Sequence, residues 1–165
     1  MDHWRIALLG DTGVGKTSLA IQFTVNCFLD VYGRPLLVDN CMSFVEILNL
    51  AGHESEADAH ASVLMYATTS RTSFDRLERF RCAIHRVRGE RGKPIFVLVG
   101  NKRDREYVRE VSTAEGEALA RTSTKTAHGV ERVFVSLVRA LRRAGTADAA
   151  PGERKAKKMR RCVIM

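Results

Sequence analysis

The stretch G-D-T-G-V-G-K-T at residues 10–17 decides the fold of this chain. It matches the pattern G-x-x-x-x-G-K-[ST]. It lies between a buried strand predicted at 4–9, whose apolar run is 6–9, and a helix predicted from about Lys16 to Phe23. Glycines let successive backbone N–H groups point inward around phosphate oxygens, and the helix N-terminus adds partial positive charge. A glycine-rich turn that matches by chance does not account for the flanking elements. The stretch therefore predicts a loop that binds the phosphates of a nucleotide.

This predicted phosphate loop supplies most of the candidate site. Lys16 is expected to reach the β- and γ-phosphates as both a binding and a catalytic residue, and the Thr17 hydroxyl is expected to ligate Mg²⁺. The full set of predicted phosphate contacts is Gly10, Asp11, Thr12, Gly13, Val14, Gly15, Lys16, Thr17 and Ser18.

Strands and helices alternate along the rest of the chain. The run at 94–100 is continuously apolar, as in a strand whose sheet is covered on both faces, and S-T-A-E at 112–115 is a capping box that opens a helix. Such alternation predicts an α/β fold around a mostly parallel sheet. The other predicted elements are strands at 44–48 and 63–67 and helices over 74–87 and 130–141.

A second motif, N-K-R-D at 101–104, identifies the base. It follows a predicted strand, and the carboxyl end of such a strand faces the ligand crevice. The Asp104 carboxylate can accept two parallel hydrogen bonds from adjacent ring and exocyclic N–H donors, a pair that guanine has and adenine lacks. Asn101 is expected to tie this loop to the phosphate loop, and the Lys102 stem to cover the base. The motifs together predict GTP or GDP with Mg²⁺, and they disfavour a P-loop kinase or ATPase.

Composition limits the class of partner. The 165 residues suit one domain, with 45% hydrophobic and 28% charged residues. Six of the positive charges behind the net charge of +8 lie in the run R-K-A-K-K-M-R-R at 154–161, which leaves the remainder nearly neutral. With only 7% aromatic residues, we expect no nucleic-acid partner. The four cysteines have no C-x-x-C spacing, which is typical of a reduced, cytosolic chain.

The tail carries a membrane-targeting pattern. Residues 1–144 are predicted as the nucleotide-binding domain, and 145–165 as a linker, a basic run and a lipidation motif. C-V-I-M at 162–165 fits C-a-a-X, and the terminal methionine favours farnesyl on Cys162. The basic run provides the second signal, attraction to anionic inner-leaflet lipid. The expected location is the cytoplasmic face of the plasma membrane; nuclear localisation is the alternative use of 154–161.

With these motifs the chain resembles the small GTPases of the Ras superfamily, and its Ras branch in particular, over nearly its whole length. The resemblance implies the three-layer P-loop NTPase fold, reduced here by short deletions. It also implies that Phe28 lies beside the base and that Gly52, in A-G at 51–52, offers a backbone N–H to the γ-phosphate. The segment T-S-T-K-T is similar to the S-A-K loop of the family, which adds the base contacts Ser123, Thr124 and Lys125.

The chain departs from this family at residues that serve hydrolysis. Where the family has D-T-A-G-Q-E, this chain has N-L-A-G-H-E at 49–54, so Asn49 replaces an acid beside Mg²⁺ and His53 replaces the water-orienting glutamine. No threonine lies between 25 and 67 to contact Mg²⁺ and the γ-phosphate. Thr12 adds a side chain where the family member Ras has glycine. His53 is either a degenerate switch residue or a general base. We expect slow hydrolysis.

Three segments are shorter than in the family. They are the effector loop, the helix after N-L-A-G-H-E, and the strand expected between the 112–121 region and T-S-T-K-T. The sheet edge that family effectors pair with is expected to be mostly absent. The predicted function is a membrane-anchored GTPase in signal transduction, with unidentified effectors and exchange factors. The alternative is a non-catalytic, prenylated pseudo-GTPase that acts as an adaptor or decoy.

Overall fold

Six strands form one sheet at the centre of the part of the chain that the computed structural model describes, which is 1–24, 33–49, 58–88, 94–121, 129–147 and 161–164. The strands are β1 Asp2–Gly10, β2 Gly33–Val38, β3 Cys41–Asn49, β4 Ala61–Ala67, β5 Phe96–Asn101 and β6 Arg161–Ile164. Their order is β2-β3-β1-β4-β5-β6, and every neighbouring pair is parallel except the antiparallel pair β2 and β3. The predicted mostly parallel α/β sheet is confirmed.

Helices cover both faces of this sheet. They are α1 Lys16–Thr24, α2 Arg71–Asp75, α3 Leu77–Arg88, α4 Thr113–Arg121 and α5 Val130–Ala147. The single helix predicted over 74–87 is divided at Arg76, which ends α2, and α5 continues three residues past the predicted boundary at 144. In the described ranges, no helix combines the length and the apolar character needed to cross a membrane.

Alternate residues of β1 point into two separate cores. Ile6 and Leu8 pack with residues of α1 and α5, including Phe23 and Phe134. Ala7 and Leu9 pack on the opposite face with Leu77 and Ile84 of α3 and with Leu119 of α4. All four β1 side chains are at most 3% exposed. A strand buried on both faces reads as a continuous apolar run, which explains why 4–9 and 94–100 were recognisable in the sequence.

The β2–β3 hairpin corrects one expectation, because the sheet edge predicted to be mostly absent is present. β2 pairs with β3 from Gly33 opposite Glu46 to Val38 opposite Cys41. The two-residue turn between them is Asp39 and Asn40, with φ of 51° and 60°. Asp and Asn tolerate this left-handed conformation, and such a pair between apolar residues favours a tight hairpin. The shortened segment therefore keeps the edge strand.

The predicted capping box is confirmed at the start of α4. The Ser112 hydroxyl accepts a hydrogen bond from the Glu115 N–H at 3.2 Å, and the Glu115 carboxylate accepts one from the Ser112 N–H at 2.9 Å. This reciprocal pair satisfies backbone donors that have no partner within the helix. Arg71, at the start of α2, also pairs with the Glu115 carboxylate at 2.7 Å. The cap of α4 thus also links α4 to α2.

Candidate functional site

The predicted phosphate loop follows the carboxyl end of β1 and turns into α1. Gly10 has φ of 151°, and a Cβ at this position would lie 2.3 Å from the Met65 carbonyl oxygen of β4. Gly13 and Gly15 have φ of 78° and 99°, in the left-handed region that glycine adopts without strain. The strand, the turn and the helix therefore have the arrangement that a phosphate-binding loop requires.

Lys16 lies over this loop. Its Nζ donates hydrogen bonds to the carbonyl oxygens of Gly10 and Asp11, both at 2.8 Å. Desolvation by burial lowers the pKa of Lys16, and the charge of Asp11 opposes that shift. An ammonium group held at the loop by two carbonyl oxygens is poised to donate instead to phosphate oxygens, which are stronger acceptors.

Asn101 joins the two predicted motifs, as the sequence led us to expect. Its Nδ2 donates to the Val14 carbonyl oxygen at 3.0 Å, and its Oδ1 accepts from the Lys102 N–H at 2.7 Å. A Cβ on Gly15 would lie 2.1 Å from this Nδ2, so the approach requires glycine there. The side chain at the end of β5 therefore fixes the position of the phosphate loop relative to N-K-R-D.

Thr68 shapes the base-reading loop, N-K-R-D at 101–104. The sequence analysis did not identify Thr68 as part of the site. Its hydroxyl donates to the Lys102 carbonyl oxygen at 3.1 Å, and its backbone N–H donates to the Asn101 carbonyl oxygen at 2.9 Å. Thr68 is 1% exposed, and Lys102 has φ of 65°. Thr68 directly follows the buried strand β4, and a polar residue at that position was the available signal. It holds the turn from which Asp104 projects at the protein surface.

Arg76 is a second residue that sequence reasoning missed. Its Nη1 lies 2.7 Å from Oδ2 of Asp11 in the phosphate loop, and Oδ1 of the same carboxylate accepts from the Thr12 N–H at 3.1 Å. The helical pattern of 74–87 placed Arg76 on the polar side of a helix but gave no sign of its partner. The ion pair fastens the first turn of the phosphate loop to the start of α3.

The Mg²⁺ prediction depends on Thr17 and on the nucleotide itself. In the described ranges, no cluster of three or more His, Cys, Asp or Glu side chains could hold a metal ion. Thr17 is exposed at the start of α1, beside the loop that would hold phosphate. Phosphate oxygens and water commonly supply the other ligands of Mg²⁺ in such sites, so the donors present fit the ion only together with a nucleotide.

The structure describes only the first residue of N-L-A-G-H-E at 49–54. The backbone of Asn49 pairs with Leu8 at the end of β3, next to the strand that leads into the phosphate loop. This is where an acid that serves Mg²⁺ would be expected. The remaining predicted contacts lie outside the described residues; they are Phe28, Gly52, His53, Ser123, Thr124 and Lys125.

Comparison with known proteins agrees with this geometry. The Ras family model matches residues 5–143. The chain is 34% identical to Ras-like protein RAS2 of Hydra vulgaris, over 99% of this chain and 96% of that protein. It is 37% identical to Ras-like protein 1 of Pyricularia oryzae, over 84% of this chain and 75% of that protein. It is also 34% identical to protein ras-2 of Neurospora crassa, over 85% and 80% of the two chains.

The alignments also bear on the shortened segments. The match to the Hydra protein extends over 187 positions, more than the 165 residues of this chain, so gaps fall within this chain. The gaps agree with the short deletions inferred from the sequence. With the phosphate loop, the Asn101 bridge and these matches, the chain belongs to the Ras family of small GTPases, which bind guanine nucleotides and hydrolyse GTP in signalling.

Proposed function

We propose that this protein is a membrane-anchored guanine-nucleotide switch that hydrolyses GTP slowly. The observation that carries the proposal is the bridge from Asn101 to Val14, which brings the base-reading loop and the phosphate loop together at the ends of β5 and β1. A bound nucleotide must contact both loops at once. Fixing their separation in advance lowers the cost of ordering the site on binding.

On nucleotide binding, Lys16 would exchange its two carbonyl acceptors for β- and γ-phosphate oxygens. The backbone N–H groups of the turn would donate to the same phosphates, and the Thr17 hydroxyl would hold Mg²⁺. The ion, when bound, neutralises charge on the phosphates. Lys102 and Asp104 would cover and read the guanine. Through these contacts the protein would position the phosphates and neutralise their charge. Positioning and charge neutralisation are the main contributions of a protein to phosphoryl transfer.

Slow turnover is expected from the residues that replace the family's hydrolytic groups in this sequence. Asn49 has no negative charge for the water shell of Mg²⁺, and His53 lacks the paired donor and acceptor of a glutamine amide. Ser43, which lies near the missing threonine in sequence, is buried and accepts a hydrogen bond from Arg142 Nη2 at 2.8 Å. Its role is therefore to join β3 to α5.

The base assignment is tested by identifying the nucleotide that co-purifies with the protein. We expect GDP or GTP on the wild type and its loss from the Asp104→Asn variant. An asparagine amide offers one acceptor and one donor, which matches the N1–H and O2 of xanthine, so xanthosine diphosphate should restore binding to the variant. Absence of guanine nucleotide from the wild type, even with Mg²⁺ added, would overturn the proposal.

The rate assignment is tested by single-turnover hydrolysis of bound GTP. The double variant Asn49→Asp, His53→Gln restores the acid and the glutamine that the family has at these positions. We expect its rate of GTP hydrolysis to be at least tenfold higher than that of the wild type. A wild type that already hydrolyses as fast as this variant contradicts slow turnover. Complete absence of hydrolysis by the wild type, with GTP bound, supports the alternative of a non-catalytic adaptor or decoy.

Membrane anchoring is the remaining part of the proposal. At the proposed C-V-I-M signal, the Cys162 thiolate would attack C1 of farnesyl diphosphate. A C–S bond forms, the C–O bond to diphosphate breaks, diphosphate leaves, and the thiol proton passes to solvent. Mass spectrometry of the C-terminal peptide from protein expressed in eukaryotic cells should find the farnesyl group on the wild type and not on Cys162→Ser. An unmodified wild-type peptide contradicts this part.

A further inference from the structure

The last strand of the described sheet, β6, comes from the tail. β6 pairs in parallel with β5, with Val97 opposite Arg161, Leu98 opposite Cys162, Val99 opposite Val163 and Gly100 opposite Ile164. The strand therefore contains the first three residues of C-V-I-M, the proposed lipidation motif. In the described ranges, α4 lies beside β6, so the tail strand is adjacent to the helix as well as to β5.

The edge of β5 needs such a neighbour. Phe96, Val97, Leu98 and Val99 are all at most 5% exposed, so β5 has the burial of an interior strand. An interior strand without a neighbour would leave a row of backbone N–H and C=O groups unpaired, at a cost comparable to lost hydrogen bonds. The resemblance implies that this chain lacks the strand that the family has at this place. The extended backbone of Val163 and Ile164, both β-branched, supplies the pairing instead.

We propose that the β5 edge is a docking surface for residues 161–164 of this same chain, and that docking excludes lipid attachment at Cys162. A prenyl-transferring enzyme must bind the last four residues in its own site, and their backbone cannot pair with β5 at the same time. The claim that docking prevents lipid attachment rests on the proposed prenylation of Cys162. The claim that residues 161–164 dock on β5 does not. Before modification the tail closes the sheet, and its release frees the backbone of 161–164 for the enzyme and exposes the β5 edge.

The length of the tail permits this exchange. Residues 148–160 separate the end of α5 from β6, and thirteen residues can span at most roughly 45 Å when fully extended. A ladder of four residue pairs is also short, and short strands open more readily than core strands. The two positions of the tail can therefore interconvert without unfolding β1, β3 and β4.

Hydrogen exchange on the full-length, unlipidated protein tests the docking. We expect peptide 161–165 to exchange at least tenfold more slowly than the same sequence as a free peptide. Val163→Pro removes one N–H and fits poorly in a ladder, so it should speed exchange in both 161–165 and 96–101. Ala156→Pro, in the basic run outside β6, is the matched control and should leave both segments protected.

Two results would overturn the docking. One is wild-type exchange of 161–165 at the free-peptide rate, which requires no variant. The other is unchanged exchange of 96–101 in Val163→Pro. Exchange of the β1 peptide is measured in the same experiment, because its loss of protection identifies a variant that fails to fold. In that case, the comparison of wild-type 161–165 with the free peptide decides whether the tail docks.

The exclusion is tested with a protein farnesyltransferase and farnesyl diphosphate. We expect the full-length protein to be modified more slowly than the peptide 154–165, by the same factor as the exchange protection. If the full-length protein and the peptide are farnesylated at equal rates while 161–165 is protected from hydrogen exchange, docking does not prevent lipid attachment. Failure of the free peptide to react would contradict the proposed prenylation, while the exchange result would still decide the docking.

Discussion

At the scale of single residues, the site divides into contacts that the motifs foretell and contacts that only the fold creates. The bonds of Lys16 to its loop and of Asn101 to Val14 follow from motif spacing, because both motifs end strands that meet at one sheet edge. Arg76 and Thr68 belong to no motif. Their partners come from other elements, and no local pattern encodes a pairing across 65 residues.

The Arg76–Asp11 pair leads to a prediction about nucleotide release. Arg76→Ala frees the Asp11 carboxylate and loosens the phosphate loop, so we expect GDP to dissociate faster. The two side chains are 49% and 26% exposed, and such pairs contribute only about 0.2–1 kcal/mol, which limits the effect to at most about fivefold. Release of a fluorescent GDP analogue measures it. Arg79→Ala, a nearby exposed arginine of α3, is the control; an equal effect from both variants would assign the change to general charge and not to the ion pair.

At the scale of elements, periodicity located most strands and helices but missed the hairpin. β2 was overlooked because G-R-P-L-L-V contains both glycine and proline, which normally interrupt strands. The structure accommodates Pro35 because β2 is an edge strand, where one lost donor faces outward. Asp39 also holds the hairpin tip to α5, since its carboxylate accepts from Arg139 Nε at 3.0 and 2.9 Å.

The turn of this hairpin gives a stability prediction. Asn40 has φ of 60°, which costs an ordinary side chain about 1 kcal/mol or more but is tolerated by Asn and Gly. Asn40→Ala should therefore lower the free energy of unfolding by about 1 kcal/mol. Asn40→Gly should remain within about 0.5 kcal/mol of the wild type. Urea unfolding measures both variants, and equal stabilities for Ala and Gly would show that the turn does not adopt the left-handed conformation.

The capping box of α4 gives a prediction about pH. The pKa of Glu115 is lowered from 4.5 to about 2, first by its hydrogen bonds with Ser112 and then by Arg71. Because the folded-state pKa is depressed, its stabilisation is complete above about pH 4.5 and is lost as pH falls toward 2. Glu115→Gln lacks this charge, so the stability gap between wild type and variant should be constant from pH 7 to 5 and should narrow below. Thermal melting across this range measures the gap; a gap that widens in acid would contradict the assignment.

At the scale of the whole molecule, the fold class was recoverable because β1 and β5 are apolar on both faces and are followed by motifs of fixed geometry. The sixth strand was not recoverable. Its pairing joins residues 161–164 to 97–100, and the C-a-a-X pattern already explained the same letters as a lipidation signal. A local sequence pattern cannot show that the same short segment is both a β-strand and a lipidation signal.

The distribution of charge over the whole molecule gives the last prediction. Six positive charges lie at 154–161 while the rest of the chain is nearly neutral, so attraction to anionic vesicles should come from the tail. At about 1 kcal/mol per charge, the triple variant Lys155→Gln, Lys157→Gln, Lys158→Gln should weaken binding of the unlipidated protein to phosphatidylserine vesicles about 100-fold. Vesicle sedimentation measures this, and binding should also fall as salt rises from about 0.05 to 0.5 M.

The matched control changes net charge equally but in the folded domain. Arg79→Gln, Arg86→Gln, Arg132→Gln removes three exposed positive charges from α3 and α5. If proximity to the lipid surface governs binding, this variant should keep most of its affinity, because its charges need not come within a Debye length of the vesicle. Equal losses in the two variants would mean that net charge, or a basic face of the domain, attracts the membrane. The tail would then form β6 and carry the lipid group, but would not attach the protein to the membrane electrostatically.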